Sequence, residues 1–290
     1  MIIVKIRGGL GNQLFQYATG LSLASKKNVP LKLDLFGIEK NPVRDFLLNY
    51  FNIPYVKATQ EEIEKVALSR AKTFDEKMEV VIRGRLPYYL HRVVNEKFND
   101  FDQKLFFAPK DCYLSGYWQS EKYFVMIRDI LLQQITLKNP ISSNLEKTIQ
   151  EIKTSNSISL HIRRGDLITD PQTNKDFGVL PLEYYQKAMS LLNSQVSVPH
   201  YFIFSDDLDW AKDNLKIPVS ATFVEHSSID NEEIICMKEC HHHIIANSSF
   251  SWWGAWLGTS SDQINIAPKN WFANPKINPL RICPETWLRI

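Results

Sequence analysis

The segment HIRRGD, residues 161–166, places two adjacent arginines directly after a short apolar run. A guanidinium group is planar, stays charged at physiological pH and matches phosphate oxygens with paired hydrogen bonds. Because consecutive side chains at a strand end point to opposite faces, we expect different roles for the two arginines. We predict that Arg163 binds a phosphate group and that Arg164 forms a structural ion pair with Asp166. A purely structural role for the segment is the alternative.

The segment NSSF, residues 247–250, is a second candidate for binding an anion. It lies between an apolar run and a tryptophan-rich run, where we predict a strand followed by a helix. Small residues at such a junction expose backbone N–H groups at the helix N-terminus, whose partial positive charge favours an anion. A serine that only caps the helix is the alternative, although one geometry serves both. The predicted contacts come from Asn247, Ser248, Ser249 and Phe250.

The glycine-rich segment GGLGNQ, residues 8–13, follows the first apolar run. It resembles a nucleotide-binding loop but lacks the full spacing of the dinucleotide-binding motif. Its glycines, Gly11 among them, indicate that the backbone approaches another group closely at this turn. Arg7 and Asn12 are the side chains that we expect to reach across a cleft.

Three carboxylates follow the apolar run YFIFS. Asp207 and Asp209 match the Asp-x-Asp pattern of a Mg²⁺ or Mn²⁺ site beside a diphosphate. Asp209, however, falls inside the next predicted helix. We therefore favour a carboxylate that accepts hydrogen bonds from the edge of a guanine base, and we assign this role to Asp206.

The segment CMKECHHH, residues 236–243, brings cysteines and histidines close together in the sequence. Cys236 and Cys240 are one helical turn apart, which suggests a zinc site. No second pair has suitable spacing, because Cys112 and Cys283 are distant and isolated. We therefore favour buried thiols on a helix, and we predict no metal site.

The elements that must position these residues alternate between strands and helices, which indicates an α/β fold with parallel sheets. We expect two Rossmann-like domains that face one another across a cleft. Ligands bind beyond the carboxyl ends of the strands in such sheets. A segment rich in proline, serine and asparagine sets the boundary, giving domains of residues 1–140 and 141–290. The last helix could pack back on the first domain. Within that domain we predict a helix over residues 121–135.

Composition limits the function. The 290 residues carry a formal net charge of +2, which is too small to suggest a nucleic-acid-binding surface. No run approaches the roughly 18 apolar residues of a membrane span, and the N-terminus lacks the basic region of a signal peptide. Four cysteines without a signal peptide indicate free thiols in a reducing compartment. We expect a cytoplasmic protein; the sequence leaves peripheral membrane association and oligomeric state open.

Four segments together resemble the bacterial α-1,2-fucosyltransferases of glycosyltransferase family 11. They span nearly the whole chain and read GGLGNQLFQYATG, GYWQSEKYF, HIRRGD and IIANSSFSWWGAWLG. The HIRRGD segment alone would indicate only an enzyme that uses GDP-fucose, because α-1,6- and protein O-fucosyltransferases share its pattern. Its combination with NSSFSWW is more specific.

The resemblance implies a GT-B type fold, GDP-β-L-fucose as donor, inversion at the anomeric carbon, and neither a cofactor nor an obligatory metal. It also implies transfer to the 2-hydroxyl of a terminal β-galactoside, in the synthesis of an O-antigen or another surface glycan. Arg163 would contact the β-phosphate, and His161 would lie near the nucleoside. Glu233 would lie there too, where related enzymes carry an acidic residue. The diphosphate would be held by the backbone of Ser248, Ser249 and Phe250, and by Asn12 from the opposite domain.

The first domain should supply the acceptor site and any general base. The acceptor hydroxyl must lose a proton, and Asp34 and Glu121 are the candidate bases. Both could be ordinary structural carboxylates, and the leaving phosphate could take the proton instead. Because sugar C–H faces stack on aromatic rings, we predict an acceptor platform, with core packing as an equal alternative. Its residues are Tyr117, Trp118 and Gln119.

Three other functions stay open at the level of sequence. A non-catalytic protein that binds a sugar nucleotide or glycan would keep the same cleft. A metal-dependent transferase would use Asp207 and Asp209. A fucosyltransferase of another linkage, such as α-1,6, would share the HIRRGD segment.

Overall fold

The computed structural model describes residues 1–40, 44–67, 73–97, 100–225, 230–274 and 282–290. The chain is a mixed α/β protein that divides into two compact units, residues 1–136 and residues 137–290. All pairings between the described strands are parallel. Among the described residues, no helix combines the length and the apolar character that crossing a membrane requires.

The first unit is built on a four-stranded sheet. Its strands are Ile2–Lys5 (β1), Leu31–Asp34 (β2), Val93–Asn95 (β3) and Cys112–Ser115 (β4). Its helices are Leu10–Lys27 (α1), Phe36–Glu39 (α2), Gln60–Ala67 (α3), Phe74–Gly84 (α4) and Arg128–Gln134 (α5). The strand order is β2-β1-β4-β3, and β1 is completely buried from Ile2 to Val4, as expected for a central parallel strand.

The strand order of the first unit reverses between β1 and β4. Ile2 lies opposite Leu31 of β2 on one side and Cys112 of β4 on the other. In open α/β sheets, such a reversal opens a crevice at the carboxyl ends of the two strands, where ligands bind. The first crevice, as we call it, is formed by residues 7–12 after β1 and residues 116–119 after β4.

Two elements of the first unit differ from the prediction. Strand β3 was not predicted, because three residues are too few to show an alternating pattern. The helix predicted over residues 121–135 is wrong: two 3₁₀ turns, Glu121–Tyr123 and Val125–Ile127, precede the short α5. Phe124 separates the turns with φ −141°, and its ring is fully buried, 5.8 Å between centroids from the ring of Phe15. We attribute the bend to the burial of this ring.

The second unit is built on a six-stranded sheet. Its strands are Asn156–Ile162 (β5), Pro199–Ser205 (β6), Ser220–Phe223 (β7), His242–Ile244 (β8), Asn265–Ala267 (β9) and Leu288–Arg289 (β10). Its helices are Ser143–Lys153 (α6), Gly165–Thr169 (α7), Pro171–Phe177 (α8), Leu182–Asn193 (α9), Leu208–Asn214 (α10), Asp230–Glu239 (α11) and Ser249–Leu257 (α12). The last described element is the strand β10. The packing of the last helix on the first domain stays a prediction.

The strand order β10-β9-β8-β5-β6-β7 is that of a dinucleotide-binding fold. The first three strands run outward from β5 in one direction, and the last three run outward from β8 in the other. Ile158 in the middle of β5 pairs with Tyr201 of β6 and with His242 of β8. The order therefore reverses between β5 and β8. The second crevice, as we call it, is formed by residues 163–166 after β5 and residues 245–250 after β8.

Candidate active site

Arg163 joins the two sides of the second crevice. It follows β5, and its Nη1 donates a hydrogen bond to the backbone carbonyl of Asn247, beyond β8, at 3.4 Å. Its guanidinium carbon also lies 5.3 Å from the centre of the Phe177 ring. The side chain is about four-fifths buried, with 19% exposure. A cation therefore sits at the point where a parallel sheet of this strand order binds its ligand.

The carboxylate of Asp166 fixes the orientation of Arg163. Nε and Nη2 of the guanidinium donate to its two oxygens at 3.1 and 2.8 Å. Asp166 lies in the first turn of α7, three residues after Arg163, and the helical turn that begins at Gly165 brings its carboxylate beside the guanidinium. The ion pair predicted between Arg164 and Asp166 is therefore wrong. A guanidinium has five N–H groups, so two remain for a ligand.

Arg164 points to the opposite side and binds the start of α10. Its Nε donates to Asp207 at 3.0 Å, and its guanidinium carbon lies 3.8 Å from the centre of the Trp210 ring. Asp207 also caps α10, because its other oxygen accepts a hydrogen bond from the Trp210 N–H at 3.3 Å. Asp209 is 98% exposed. The Asp-x-Asp pattern is thus divided between a helix cap and a solvent-exposed side chain.

Asp206 holds the backbone of the turn that carries both arginines. Its two oxygens accept hydrogen bonds from the backbone N–H groups of Arg164 at 2.7 Å and Gly165 at 3.0 Å. Hydrogen bonds to a carboxylate are stronger than those between neutral groups, so this contact rigidifies the turn. The predicted contact of Asp206 with guanine stays a prediction.

The N-terminus of α12 forms the other wall of the second crevice. Ser248 is its N-cap, with an extended backbone, and its Oγ accepts a hydrogen bond from the Phe250 N–H at 3.3 Å. The first backbone N–H groups of a helix have no carbonyl partner within it, so the turn at Ser249 favours a negative charge. This wall therefore has the polarity that the sequence predicts for residues 247–250.

Asn247 supports this wall from behind. Its side chain is 1% exposed, and its Nδ2 lies at hydrogen-bond distance from three backbone carbonyls. These belong to Phe177 at 3.0 Å, Gly178 at 3.1 Å and Trp271 at 3.3 Å. The Nδ2 donors are thus committed to the protein, and any anion contact of Asn247 would have to come from its backbone.

The two residues predicted near a nucleoside, His161 and Glu233, are both buried. His161 is the penultimate residue of β5, and its ring centroid lies 5.8 Å from that of Phe250. Glu233 lies in α11, one turn before Cys236. Their contacts with a nucleoside stay predictions.

Asn12 and Gln119 join the two sides of the first crevice. Nε2 of Gln119, beyond β4, donates to Oδ1 of Asn12, in the first turn of α1, at 2.7 Å. Gly8 has φ +80°, and a Cβ there would lie 2.8 Å from Nδ2 of Asn12, so a side chain at this position would strain the turn and displace the Asn12 amide. The guanidinium carbon of Arg7 lies 4.4 Å from the centre of the Tyr117 ring. A cation and two amides therefore line this crevice.

Two buried glutamines that we did not predict hold the loop before α1. Gln16 accepts a hydrogen bond from the backbone N–H of Arg7 at 2.9 Å and donates to its carbonyl at 3.1 Å. Gln13 donates to the carbonyls of Gly8 and Asp45, both at 2.8 Å, and accepts from the Leu47 N–H at 2.9 Å. The feature of the sequence that could have identified them is a pair of amide side chains, three residues apart, on the otherwise apolar face of a predicted helix.

The residues of the predicted acceptor platform differ in exposure. Tyr117 is 39% exposed, but Trp118 is 2% exposed and packs edge-on against Tyr123, with 5.8 Å between ring centroids. The alternative of core packing therefore holds for Trp118, and its predicted role as a sugar platform is wrong. Tyr117 and Gln119 remain available at the first crevice.

The two candidate bases lie in different surroundings. Asp34 is buried, and its oxygens accept hydrogen bonds from the Tyr113 hydroxyl at 2.6 Å and the Phe36 N–H at 3.0 Å. Burial, and secondly this bond, raise the pKa of Tyr113. Glu121 is half-buried at the start of a 3₁₀ turn. A role in proton transfer stays a prediction for both.

All four cysteines are buried free thiols. Burial, and to a lesser extent the nearby Glu233 and Glu232, raise the pKa of Cys236 to about 12. The Cys240 thiol donates to the backbone carbonyl of Cys236 at 3.6 Å. In the part of the chain that the structure describes, no group of three His, Cys, Asp or Glu side chains is arranged to bind a metal ion.

Comparison with known proteins identifies relatives over the full chain. The model of glycosyl transferase family 11 matches residues 1–289. An alpha-1,2-colitosyltransferase of Escherichia coli is 32% identical over 100% of this chain and 99% of its own length. The O-antigen biosynthesis glycosyltransferase WbnK of Escherichia coli is 33% identical over 98% of this chain and 99% of that protein. Galactoside alpha-(1,2)-fucosyltransferase 2 of Hylobates lar is 22% identical, over 92% of this chain and 71% of that protein.

Among solved structures, the fold resembles that of NodZ alpha-1,6-fucosyltransferase co-crystallized with GDP. The match has a TM-score of 0.50 and covers 89% of this chain and 92% of that chain, at 14% sequence identity. At this identity, the likeness extends to the fold alone.

Proposed function

Because the chain belongs to glycosyltransferase family 11, we propose that it transfers L-fucose from GDP-β-L-fucose to the 2-hydroxyl of a terminal β-galactoside, with inversion. The observation that carries this proposal is the second crevice, where Arg163 and the N-terminus of α12 present positive charge at the reversal of a dinucleotide-binding sheet. The relatives named for O-antigen synthesis and α-1,2 transfer support a role in building a surface glycan. The GT-B arrangement of the two units stays a prediction.

The second crevice would act on the negative charge that develops on the leaving phosphate during transfer. Cleavage of the bond between fucose and phosphate leaves an additional negative charge on GDP and oxocarbenium character on the sugar. The two remaining N–H groups of Arg163 and the first N–H groups of α12 would stabilise that phosphate in place of a divalent cation. Donors that are already oriented need no reorganisation during the reaction, which is why they are effective. Asp166 supplies that orientation for Arg163.

We assign the acceptor to the first crevice. The exposed ring of Tyr117 offers a face for sugar C–H groups, and the amide of Gln119, which donates to Asn12, can exchange hydrogen bonds with hydroxyls. The contact of Asn12 with the donor diphosphate, which the resemblance implies, stays a prediction. The crevice lies at the carboxyl ends of β1 and β4, where a sheet of this kind binds ligands.

A second candidate differs only in the donor. The relative with 32% identity is named as a colitosyltransferase, and colitose is a deoxy sugar that lacks one hydroxyl of fucose. A site that hydrogen-bonds that hydroxyl would reject GDP-colitose strongly, whereas an apolar pocket would accept both donors. The named activity of this relative makes GDP-colitose the donor to compare.

The decisive experiment is a transfer assay with GDP-fucose and GDP-colitose against a panel of β-galactosides, followed by linkage analysis of the product by NMR. We expect transfer of fucose, an α-1,2 linkage, and activity that survives EDTA. Preference for GDP-colitose would select the second candidate. An α-1,6 product, loss of activity in EDTA, or donor binding without transfer to any acceptor would each overturn the proposal.

A further inference from the structure

The carboxylate of Glu96 organises the loop that follows β4. Glu96 directly follows β3, and its backbone N–H donates to the carbonyl of Ser115 at 2.9 Å. Its Oε2 accepts a hydrogen bond from the Tyr117 N–H at 2.6 Å, and its Oε1 accepts one from the Trp118 N–H at 2.9 Å. Both oxygens of one carboxylate therefore hold two consecutive peptide groups of the loop.

This loop has a conformation that needs support. Trp118 has φ +56°, which is uncommon for a bulky residue and strains the backbone. Gly116 has no room for a side chain, because a Cβ there would lie 2.4 Å from Cβ of Glu96 and 2.8 Å from the Trp118 ring. The carboxylate bonds and the burial of Trp118 offset the strain of the turn.

The loop in turn delivers two side chains to the first crevice. Tyr117 is turned outward, with its ring against the guanidinium of Arg7, and Gln119 reaches Asn12. Trp118 points the other way, into the core. Tyr117 and Gln119 face the crevice and Trp118, between them, faces the core. A change in the backbone of this turn would therefore move the side chains of Tyr117 and Gln119 together.

We propose that Glu96 is a positioning residue for acceptor recognition: its carboxylate fixes residues 116–119 so that Tyr117 and Gln119 hold the acceptor glycan. This inference rests on the proposed function, because it assigns the first crevice to the acceptor. The sequence alone did not indicate a role for Glu96, because β3, the short strand before it, was not predicted.

The test compares Glu96→Gln and Glu96→Ala with Glu61→Gln, which removes an exposed carboxylate from α3 of the same unit. Steady-state kinetics give kcat and KM for the acceptor at saturating donor, and calorimetry gives the Kd of GDP. Glutamine keeps one accepting oxygen, so we expect acceptor kcat/KM to fall about 10-fold. Alanine releases both peptide groups, and we expect a fall of about 100-fold, as for small misplacements in other active sites. The Kd of GDP should stay within about 2-fold of wild type in every variant.

Gly116→Ala provides an independent route to the same result, because its methyl group would displace the Glu96 side chain. We expect the same selective loss of acceptor kcat/KM in this variant. If Glu96→Ala does not fold, the glutamine and Gly116→Ala variants carry the test. Wild-type acceptor kinetics in these two variants, or a parallel loss of GDP binding, would overturn the inference. Failure of the wild-type protein to transfer to any acceptor would instead refute the proposed function.

Discussion

The ion pair with Asp166 determines which part of the Arg163 guanidinium a ligand can reach. The pair occupies Nε and one N–H of Nη2, and the Asn247 carbonyl occupies one N–H of Nη1. The remaining N–H groups belong to the two terminal nitrogens and can bind two oxygens of one phosphate. A lysine could supply the charge at this position but neither the orientation nor the paired bonds.

We therefore predict that Arg163→Ala lowers kcat by about 10²–10³-fold, as the loss of one transition-state donor does elsewhere. Arg163→Lys should recover only a small part of this loss. The measurement is steady-state transfer from GDP-fucose, with circular dichroism as the control for folding. Asp209→Asn, at an exposed position, should leave kcat unchanged. An alanine variant with near-normal kcat would refute the role of Arg163.

A second prediction at this scale concerns His243, which is completely buried in β8 and bonded to Ser159 Oγ at 2.7 Å. Burial lowers its pKa to about 3, whereas an exposed histidine has a pKa near 6.5. The unfolded chain therefore binds the proton first, so stability is complete above about pH 6.5 and falls as the pH drops toward 3. At pH 5 the loss should be about 2 kcal/mol.

Urea denaturation at pH 7 and pH 5 tests this prediction. His243→Gln can keep a hydrogen bond to Ser159 but cannot titrate. Its free energy of unfolding should therefore fall less between the two pH values than that of the wild type. Equal falls would show that protonation of His243 does not contribute.

At the scale of single residues, the sequence identified the types of side chain that line the second crevice but not how they pair. Assigning Asp166 to Arg164 treated residues 163–166 as the end of a strand. In the structure a helical turn begins at Gly165, and this turn brings Asp166 to the side of Arg163. The partner of each arginine therefore depended on where the strand stopped, which an alternating pattern does not determine to within one residue.

At the scale of elements, the buried glutamines of α1 connect a helix face to a binding loop. We predict that Gln16→Leu lowers the free energy of unfolding by about 1–3 kcal/mol, because the backbone N–H and carbonyl of Arg7 lose their partners. Urea denaturation measures this change. The matched control is Gln60→Leu on α3, where the side chain is exposed and should contribute less than about 0.5 kcal/mol. Equal effects of the two substitutions would contradict the assigned role.

Elements with long, regular patterns were predictable, whereas short ones were not. The spacing of the apolar residues predicts α1, and the short apolar runs predict β5 and β6. Strand β3 has only three residues, and its place in the sheet depends on pairing with β4. The loop after β4 carries two aromatic residues in succession, Tyr117 and Trp118. Which of its rings would be buried depended on the positive φ of Trp118, which its residue type does not suggest.

At the scale of the whole molecule, each unit has one reversal of strand order with a polar crevice beside it. We predict that GDP stabilises the wild-type protein by about 2.7 kcal/mol at a concentration 100-fold above its Kd, because it binds only the folded state. This stabilisation should persist in EDTA and be much reduced in Arg163→Ala. Thermal denaturation with and without GDP and EDTA provides the measurement. Stabilisation that requires added Mg²⁺ would contradict binding through Arg163 and α12 alone.

The pairing of β5 with β8 has a consequence for biosynthesis. Residues that meet across these strands are separated by 84 positions, as for Ser157 and His241. During translation, the edge of β5 that pairs with β8 therefore stays unpaired until most of the second unit has left the ribosome. Unpaired strand edges of this kind are prone to self-association, and contacts so distant in the chain form slowly. We expect the yield of native protein to rise when synthesis is slowed by cooling, with fewer insoluble nascent chains in a pulse-chase experiment.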